Sequence, residues 1–224
     1  ENRNHLGINK SAQKGESYIG FATNAGRLAG ADFVKMYDIL AKYNAKGMRL
    51  TTTQNFVVFG VKDEDALDLA NEIDALGYPY EPSIFRARMQ SCTGKEFCKF
   101  GITETKTFTQ EVILDLEKRF PDFKENIMIA ISGCTNACSH PQISDIGFMG
   151  CKVKDDEGNR VEGYEAHFGG NLKGETASVF ATPTGIKMPA TKVVDFISDL
   201  ITQYQNNPKD ASTFKEYISN IKID

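Results

Sequence analysis

The chain has 224 residues and a mass of 24.8 kDa, which allows one large domain or two small ones. Hydrophobic residues make up 41% and charged residues 25%, and the formal net charge is -4. This balance is typical of a globular protein and argues against a nucleic-acid-binding protein, although a small anion could still find a local basic site. The apolar runs are too short to span a bilayer, and no signal-peptide pattern precedes them. We therefore expect a cytoplasmic protein with no membrane or nucleic-acid partner.

The first 82 residues are predicted to hold a tail and a small α/β unit. Residues 1–17 are polar and show no periodicity, so we predict a tail or linker there. Residues 18–82 follow the order strand, helix, strand, strand, helix, which is typical of a ferredoxin-like half-domain. The predicted strands cover 18–23, 48–51 and 56–61, and the predicted helices cover 31–43 and 63–76.

Residues 83–224 are predicted to form a second, larger α/β domain. An apolar run at 127–131 is typical of a buried strand, and the segments 143–153 and 161–168 are predicted to form a hairpin. Apolar residues at three- and four-residue steps predict helices at 109–120, 191–204 and 212–221.

Four of the five cysteines form two tight pairs in this second domain. Cys92 and Cys98 are separated by five residues, and Cys134 and Cys138 by three. The second pair directly follows the predicted buried strand, and Gly94 and Gly133 allow the backbone to approach a bulky group.

The cysteine spacing leaves several interpretations open. The thiols could be inert and buried, a redox pair, ligands of a structural zinc, or ligands of an iron–sulfur cluster. The five-residue gap is wide for zinc, no C-x-x-C is present, and neither common ferredoxin spacing matches. We therefore favour an iron–sulfur cluster held by four thiolates, outside a simple electron-carrier ferredoxin.

The two cysteine segments resemble those of the siroheme-dependent nitrite and sulfite reductases. The likeness extends to neighbouring motifs and covers about residues 17–205. These motifs are Ser91-Cys-Thr-Gly-Lys-Glu-Phe-Cys98, Gly101-Ile-Thr-Glu-Thr-Lys106, Ser132-Gly-Cys-Thr-Asn-Ala-Cys138, Asp145-Ile-Gly-Phe-Met-Gly-Cys151, Val161-Glu-Gly163, Phe168-Gly-Gly170, Gly26-Arg27-Leu28 and Arg49-Leu-Thr-Thr-Thr-Gln-Asn55.

The resemblance implies an α/β (α+β) fold in which a ferredoxin-like half-module precedes a nitrite/sulfite reductase domain. It also implies that Cys92, Cys98, Cys134 and Cys138 hold one 4Fe–4S cluster, and that the Cys138 sulfur bridges it to a siroheme iron. The implied activity is the six-electron reduction of nitrite to ammonia or of sulfite to sulfide, with ferredoxin as the expected electron donor.

The resemblance further implies that this chain is the second, C-terminal copy of a module that the family usually carries twice. The family's first copy has an arginine in a Thr-x-Arg-Gln stretch, where this chain has Thr51-Thr52-Thr53-Gln54. We therefore expect a missing N-terminal half-module or a second subunit. The alternative is an iron–sulfur electron-transfer module without its own catalytic pocket, and the catalytic residues stay unassigned.

Four further residues are candidate cofactor contacts. Arg86, Arg88 and Lys95 flank the first cysteine pair, and cations pair well with the carboxylates of siroheme. Asn136 lies between Cys134 and Cys138, where it could donate a hydrogen bond to cluster sulfur. Solvated surface charge and ordinary turn chemistry are the competing interpretations. The fifth cysteine, Cys151, is predicted to be a small buried hydrophobe, and His140 a loop residue with a local hydrogen bond.

Overall fold

The computed structural model describes residues 5–172, 178–207 and 211–221. The chain divides into two compact units, Glu1–Ala87 and Arg88–Asp224. The predicted domain boundary after residue 82 lies five residues before this division. In the described part of the chain, no helix combines the length and apolar character needed to cross a membrane.

The N-terminal unit is an antiparallel sheet with helices packed against it. Its elements in chain order are β1 (Gly7–Lys10), β2 (Glu16–Phe21), α1 (Gly30–Lys42), β3 (Gly47–Leu50), β4 (Phe56–Lys62) and α2 (Ala66–Asp74). The strands lie in the order β1-β2-β4-β3. Alternate residues of the two central strands are buried with Met36, Leu69 and Ile73 of the helices, as the two-residue period of a strand requires. The stacked rings of Phe21 and Phe56, 5.2 Å apart between centroids, join β2 to β4 in this core.

Residues 7–10 differ from the predicted tail, because they form strand β1. The strand pairs with β2 from Gly7 opposite Gly20 to Lys10 opposite Ser17. It is an edge strand of alternating half-buried and exposed residues, so backbone hydrogen bonds carry most of its attachment. Such a strand leaves little periodicity in the sequence. Residues 1–4 of the predicted tail lie outside the described residues.

The C-terminal unit is a mixed five-stranded sheet with helices on one face. After the short helix α3 (Ile84–Arg88), its elements are β5 (Met89–Ser91), α4 (Lys106–Arg119), β6 (Ile129–Ser132), β7 (Ile146–Lys154), β8 (Arg160–Phe168), β9 (Thr182–Pro189), α5 (Val193–Asn206) and α6 (Phe214–Asn220). The strands lie in the order β5-β6-β7-β8-β9, with β5, β6 and β7 parallel and the rest antiparallel. Tyr164 of β8 stacks on Phe108 of α4, and Phe168 stacks on Phe196 of α5, so both helices cover the same face.

Strand β9 was absent from the sequence-based prediction. It contains Pro183, Gly185 and Pro189, residues that normally argue against a strand. The structure places β9 at the edge of the sheet, where a missing backbone N–H costs least. The mixed α/β architecture with a ferredoxin-like first unit is confirmed, and the sheet brings the ends of β5 and β6 side by side.

Candidate metal centre

The two cysteine pairs follow neighbouring parallel strands. Cys92 comes directly after β5, and Cys134 comes two residues after β6. The Cys92 N–H donates to the carbonyl of Ile131 at 3.1 Å, which continues the ladder between the strands into the first cysteine loop. Because parallel strands end at the same edge of a sheet, both loops leave it at one place.

Backbone hydrogen bonds join the two cysteine loops to each other. The N–H groups of Ile102 and Thr103 both donate to the carbonyl of Gly133, at 2.8 and 3.2 Å. The Gly133 N–H donates in turn to Sγ of Cys92 at 3.1 Å. A residue of the second loop therefore already supplies a hydrogen bond to a sulfur of the first loop.

All four paired cysteines line one cavity of about 70 Å³ between the loops. Cys92, Cys98 and Cys134 are half-buried, and Cys138 is exposed. A cavity needs roughly 10–15 Å³ to hold one water, so this space is larger than a packing void. Over residues 5–172, 178–207 and 211–221, no three Cys, His, Asp or Glu side chains converge closely enough to hold a single ion. The thiols thus surround a volume instead of meeting at a point.

The second cysteine loop has an unusual backbone. Ala137 has a φ of 55° and His140 a φ of 60°, a left-handed conformation that costs energy for residues with a side chain. The turn is closed by hydrogen bonds from the Ala137 N–H to the Cys134 carbonyl and from the His140 N–H to the Ala137 carbonyl. The Ser139 N–H donates to the hydroxyl of Ser132 at 3.1 Å and fixes the loop to the end of β6.

The other candidate residues lie in different settings. Asn136 lines the cavity with the cysteines. Arg88 is half-buried in the C-terminal unit, where burial lowers its pKa and the nearby Asp145 carboxylate opposes that shift. Arg86 belongs to the N-terminal unit. Lys95 lies in the first cysteine loop, but its ammonium pairs with Glu162 and it is not a lining residue of the cavity.

The remaining two candidates, Cys151 and His140, do not line the cavity with the four thiols. Cys151 is half-buried in β7, and burial raises the pKa of its thiol. His140 is exposed after the second loop and accepts a hydrogen bond from the Ser144 hydroxyl through its carbonyl. Neither residue lines the cavity.

Four residues around the first cysteine loop were not singled out from the sequence. Glu104 and Thr105 precede α4, and Glu162 and Tyr164 lie two positions apart on β8. Glu162 accepts from the Glu104 N–H at 2.9 Å, and the Tyr164 hydroxyl donates to the Glu104 carbonyl at 2.5 Å. Burial pushes the pKa of Glu162 up, but the hydrogen bonds from Lys95 and Glu104 hold it below its usual value. Glu104, Thr105 and Glu162 lie within motifs that resemble the family, and Thr105 also precedes an apolar helical pattern, which is typical of a helix start.

The fold and the site define a mixed α/β protein with four cysteine thiols around one small cavity. The family model described as "Nitrite and sulphite reductase 4Fe-4S domain" matches residues 86–224. A second family model, "Nitrite/Sulfite reductase ferredoxin-like half domain", matches residues 10–76. The chain therefore belongs to the nitrite and sulfite reductase family of oxidoreductases.

Individual relatives include both kinds of reductase. The chain is 32% identical over 217 residues to sulfite reductase (ferredoxin) 1 of Mycolicibacterium paratuberculosis, covering 95% of this chain and 39% of that protein. It is also 32% identical over 207 residues to the chloroplastic ferredoxin–nitrite reductase of Zea mays, covering 91% and 36%. The structure of the Mycobacterium tuberculosis NirA protein matches with a TM-score of 0.88 and 29% identity, over 97% of this chain and 40% of that one. The chain thus spans about two fifths of the length of these relatives.

Proposed function

We propose that this chain is the cluster-bearing module of a siroheme-dependent reductase, the C-terminal half of a longer enzyme that reduces nitrite to ammonia or sulfite to sulfide. The observation that carries the proposal is the convergence of four cysteines, from two separate loops, on one cavity within a 4Fe–4S family domain. Four thiolates are the usual ligand set of such a cluster.

The residues present fit a four-iron cluster. Its iron atoms are spread over a compact body, so its ligands surround a volume, as the four thiols do here. Gly94, Gly101 and Gly133 line the same cavity and keep side chains out of it. Cys92, Cys98, Cys134 and Cys138 would hold the cluster, and the exposed Cys138 would share its sulfur with the siroheme iron. When bound, the two groups supply the electron transfer and the iron-centred reduction.

The chain's own residues set the surroundings of those groups. The Gly133 N–H donates to the Cys92 sulfur, and such hydrogen bonds favour the more negative, reduced state of a cluster. Asn136 at the cavity wall is proposed to do the same. Arg86 and Arg88 are proposed to pair with siroheme carboxylates, whereas Lys95 would first have to exchange its partner Glu162.

The electron donor and the substrate are proposed on the relatives' names. Both relatives are named for ferredoxin, so we propose a ferredoxin as the donor. The two relatives share the same identity with this chain although one is a sulfite reductase and the other a nitrite reductase, so identity does not favour either anion. A cytoplasmic location stays a prediction.

A second candidate function is an electron-transfer module that has no catalytic pocket of its own. It is favoured by the cysteine-lined cavity, whose volume of about 70 Å³ is far below that of a pocket that encloses a ligand of drug size. In that case the cluster would pass electrons to a centre held by another polypeptide.

The test is a metal analysis and absorption spectrum of the chain purified without oxygen. The reductase proposal expects about four irons and four acid-labile sulfides per chain, with one further haem-type iron and red absorption bands where the haem site is complete. Assays with nitrite and with sulfite, using a chemical reductant, then identify the substrate. Iron and sulfide without haem bands are expected from both candidates when this chain is tested alone, so haem retention and reduction of nitrite or sulfite after the missing half is added distinguish them. Zinc without iron would overturn both.

A further inference from the structure

Thr105 lies where the two cysteine loops meet. Its side chain is fully buried, and its hydroxyl donates to the Cys92 carbonyl at 2.6 Å. The same oxygen lies 3.8 Å from the Cys92 sulfur. A methyl group added to Gly133 would come within 3.2 Å of the Thr105 methyl carbon, so Thr105 also packs against the second loop.

The backbone around Thr105 is held from three sides. The Glu104 carboxylate accepts from the N–H groups of Lys106 and Phe108, at 3.0 and 2.9 Å, and so closes the first turn of α4. The Lys106 ammonium donates to the Ser91 carbonyl at 2.9 Å, one residue before Cys92.

The sheet also holds the residue before Thr105, because Tyr164 and Glu162 of β8 bind the carbonyl and the N–H of Glu104. Burial raises the pKa of Tyr164, so its hydroxyl keeps the proton that it donates.

The Thr105 hydroxyl has no part in starting the helix. Thr105 occupies the residue before α4, but its side chain accepts no capping hydrogen bond from the first turn. Glu104 performs that task instead. The contacts of the hydroxyl therefore serve the Cys92 loop, and its loss should leave the helix intact.

We propose that Thr105 is a positioning residue for the cluster. Its contacts fix Cys92 against the second cysteine loop before metal binds. The inference rests on the proposed function, because it assumes that Cys92 is a cluster ligand. A ligand whose backbone is fixed in advance loses less entropy on binding. Residues that orient metal ligands typically change metal affinity by roughly 10–100-fold when they are replaced.

The chain offers a matched set of variants for the test. Thr105→Val keeps the shape and removes the hydroxyl, whereas Thr105→Ser keeps the hydroxyl and removes the methyl group. Thr109→Val is the control, because Thr109 is equally buried one turn along α4 and its hydroxyl has no hydrogen-bond partner among the described residues. Each protein is loaded with iron and sulfide without oxygen, then challenged with an iron chelator while the cluster absorbance is followed. Thermal unfolding of the metal-free proteins is measured in parallel.

We expect Thr105→Val to release iron at least about tenfold faster than the original chain. Thr105→Ser should stay within about twofold, and Thr109→Val should match the original chain. The metal-free Thr105→Val chain should still fold but unfold at a somewhat lower temperature, because the Cys92 carbonyl loses its buried donor. Equal release from Thr105→Val and the original chain would overturn the inference, as would release from Thr105→Ser as fast as from Thr105→Val. An original chain that takes up no cluster would instead refute the proposed function itself.

Discussion

At the scale of single residues, the five cysteines differ in their surroundings. Four line one cavity, whereas Cys151 lies in β7 with a thiol whose pKa is raised by burial. We predict that Cys134→Ser abolishes stable cluster binding, because three thiolates remain for a body that needs four. Cys151→Ser should keep the iron and sulfide content of the original chain. Metal analysis of the two variants after the same reconstitution checks this, and equal losses from both would contradict the assignment.

The buried side chain of His167 should make the folded chain less stable at mildly acidic pH. It is 6% exposed in β8, its Nε2 has no hydrogen-bond partner among the described residues, and burial lowers its pKa despite an opposing effect of Glu165. The unfolded chain therefore takes up a proton near its ordinary pKa of about 6.5, while the folded chain does so only at lower pH. The stability contribution is complete above about pH 6.5 and is lost as the pH falls through the folded-state pKa.

The measurement is urea unfolding of the metal-free chain between about pH 5 and 7.5. A single group contributes a slope of at most about 1.4 kcal/mol per pH unit. The variant His167→Gln removes the titrating group and should flatten the profile in this range. A variant profile parallel to that of the original chain would show that other groups cause the acid loss.

At the scale of elements, the first cysteine loop depends on a glycine at a close approach. Gly94 has a φ of 64°, and a methyl group on it would lie 2.7 Å from the backbone nitrogen of Thr105. Gly158 in the β7–β8 turn has a φ of 85° but nothing within 4 Å, so it shares the backbone conformation without the contact.

We predict different costs for the same substitution at these two glycines. Gly158→Ala should destabilise the chain by about 1–2 kcal/mol, the cost of a left-handed residue with a side chain. Gly94→Ala should cost about 1–3 kcal/mol more, because overpacking against backbone cannot be relieved by a side-chain rotation. Denaturant unfolding of the metal-free variants measures both values, and equal costs would show that Gly94 and Thr105 can move apart at little cost in free energy.

Most elements could be predicted because their apolar pattern is strong. Helix α5 has a continuous apolar face, and the predicted helix at 191–204 differs from Val193–Asn206 by two residues at each end. Strands β1 and β9 could not be predicted, because edge strands are attached by backbone hydrogen bonds and carry weak apolar patterns. Helix α3 is only five residues long, too short for a helical period to appear.

At the scale of the whole molecule, the cysteines of the candidate site could be predicted from the sequence, but the residues that hold the cysteine loops in place could not. The cysteine spacing and the strand before Cys134 could be predicted from neighbouring residues. The resemblance to the family implied that the two pairs bind one cluster. The hydrogen bonds that hold the Glu104 backbone come from Glu162 and Tyr164, which are 58 and 60 residues away in sequence. Contacts of that kind depend on how the segment before α4 packs against β8, which residues close together in the sequence do not determine.

The size of the cysteine-lined cavity leads to a prediction about the haem. Its volume is about 70 Å³, far below the roughly 300–1,000 Å³ of pockets that enclose ligands of drug size. A tetrapyrrole would therefore have to lie outside this cavity, and the exposed Cys138 is the cysteine that we propose it would contact. The family relatives contain more than twice as much chain as is present here.

We therefore predict that this chain alone keeps a cluster but loses siroheme. After anaerobic reconstitution with iron, sulfide and siroheme, gel filtration should leave about four irons per chain and little red absorption. Adding the remaining part of a longer relative as a second polypeptide should increase the retained haem, because the binding surface is then more complete. A control without siroheme defines the cluster spectrum. Retention of one haem per chain by this polypeptide alone would contradict the prediction and would show that its own surface holds the haem without an added half.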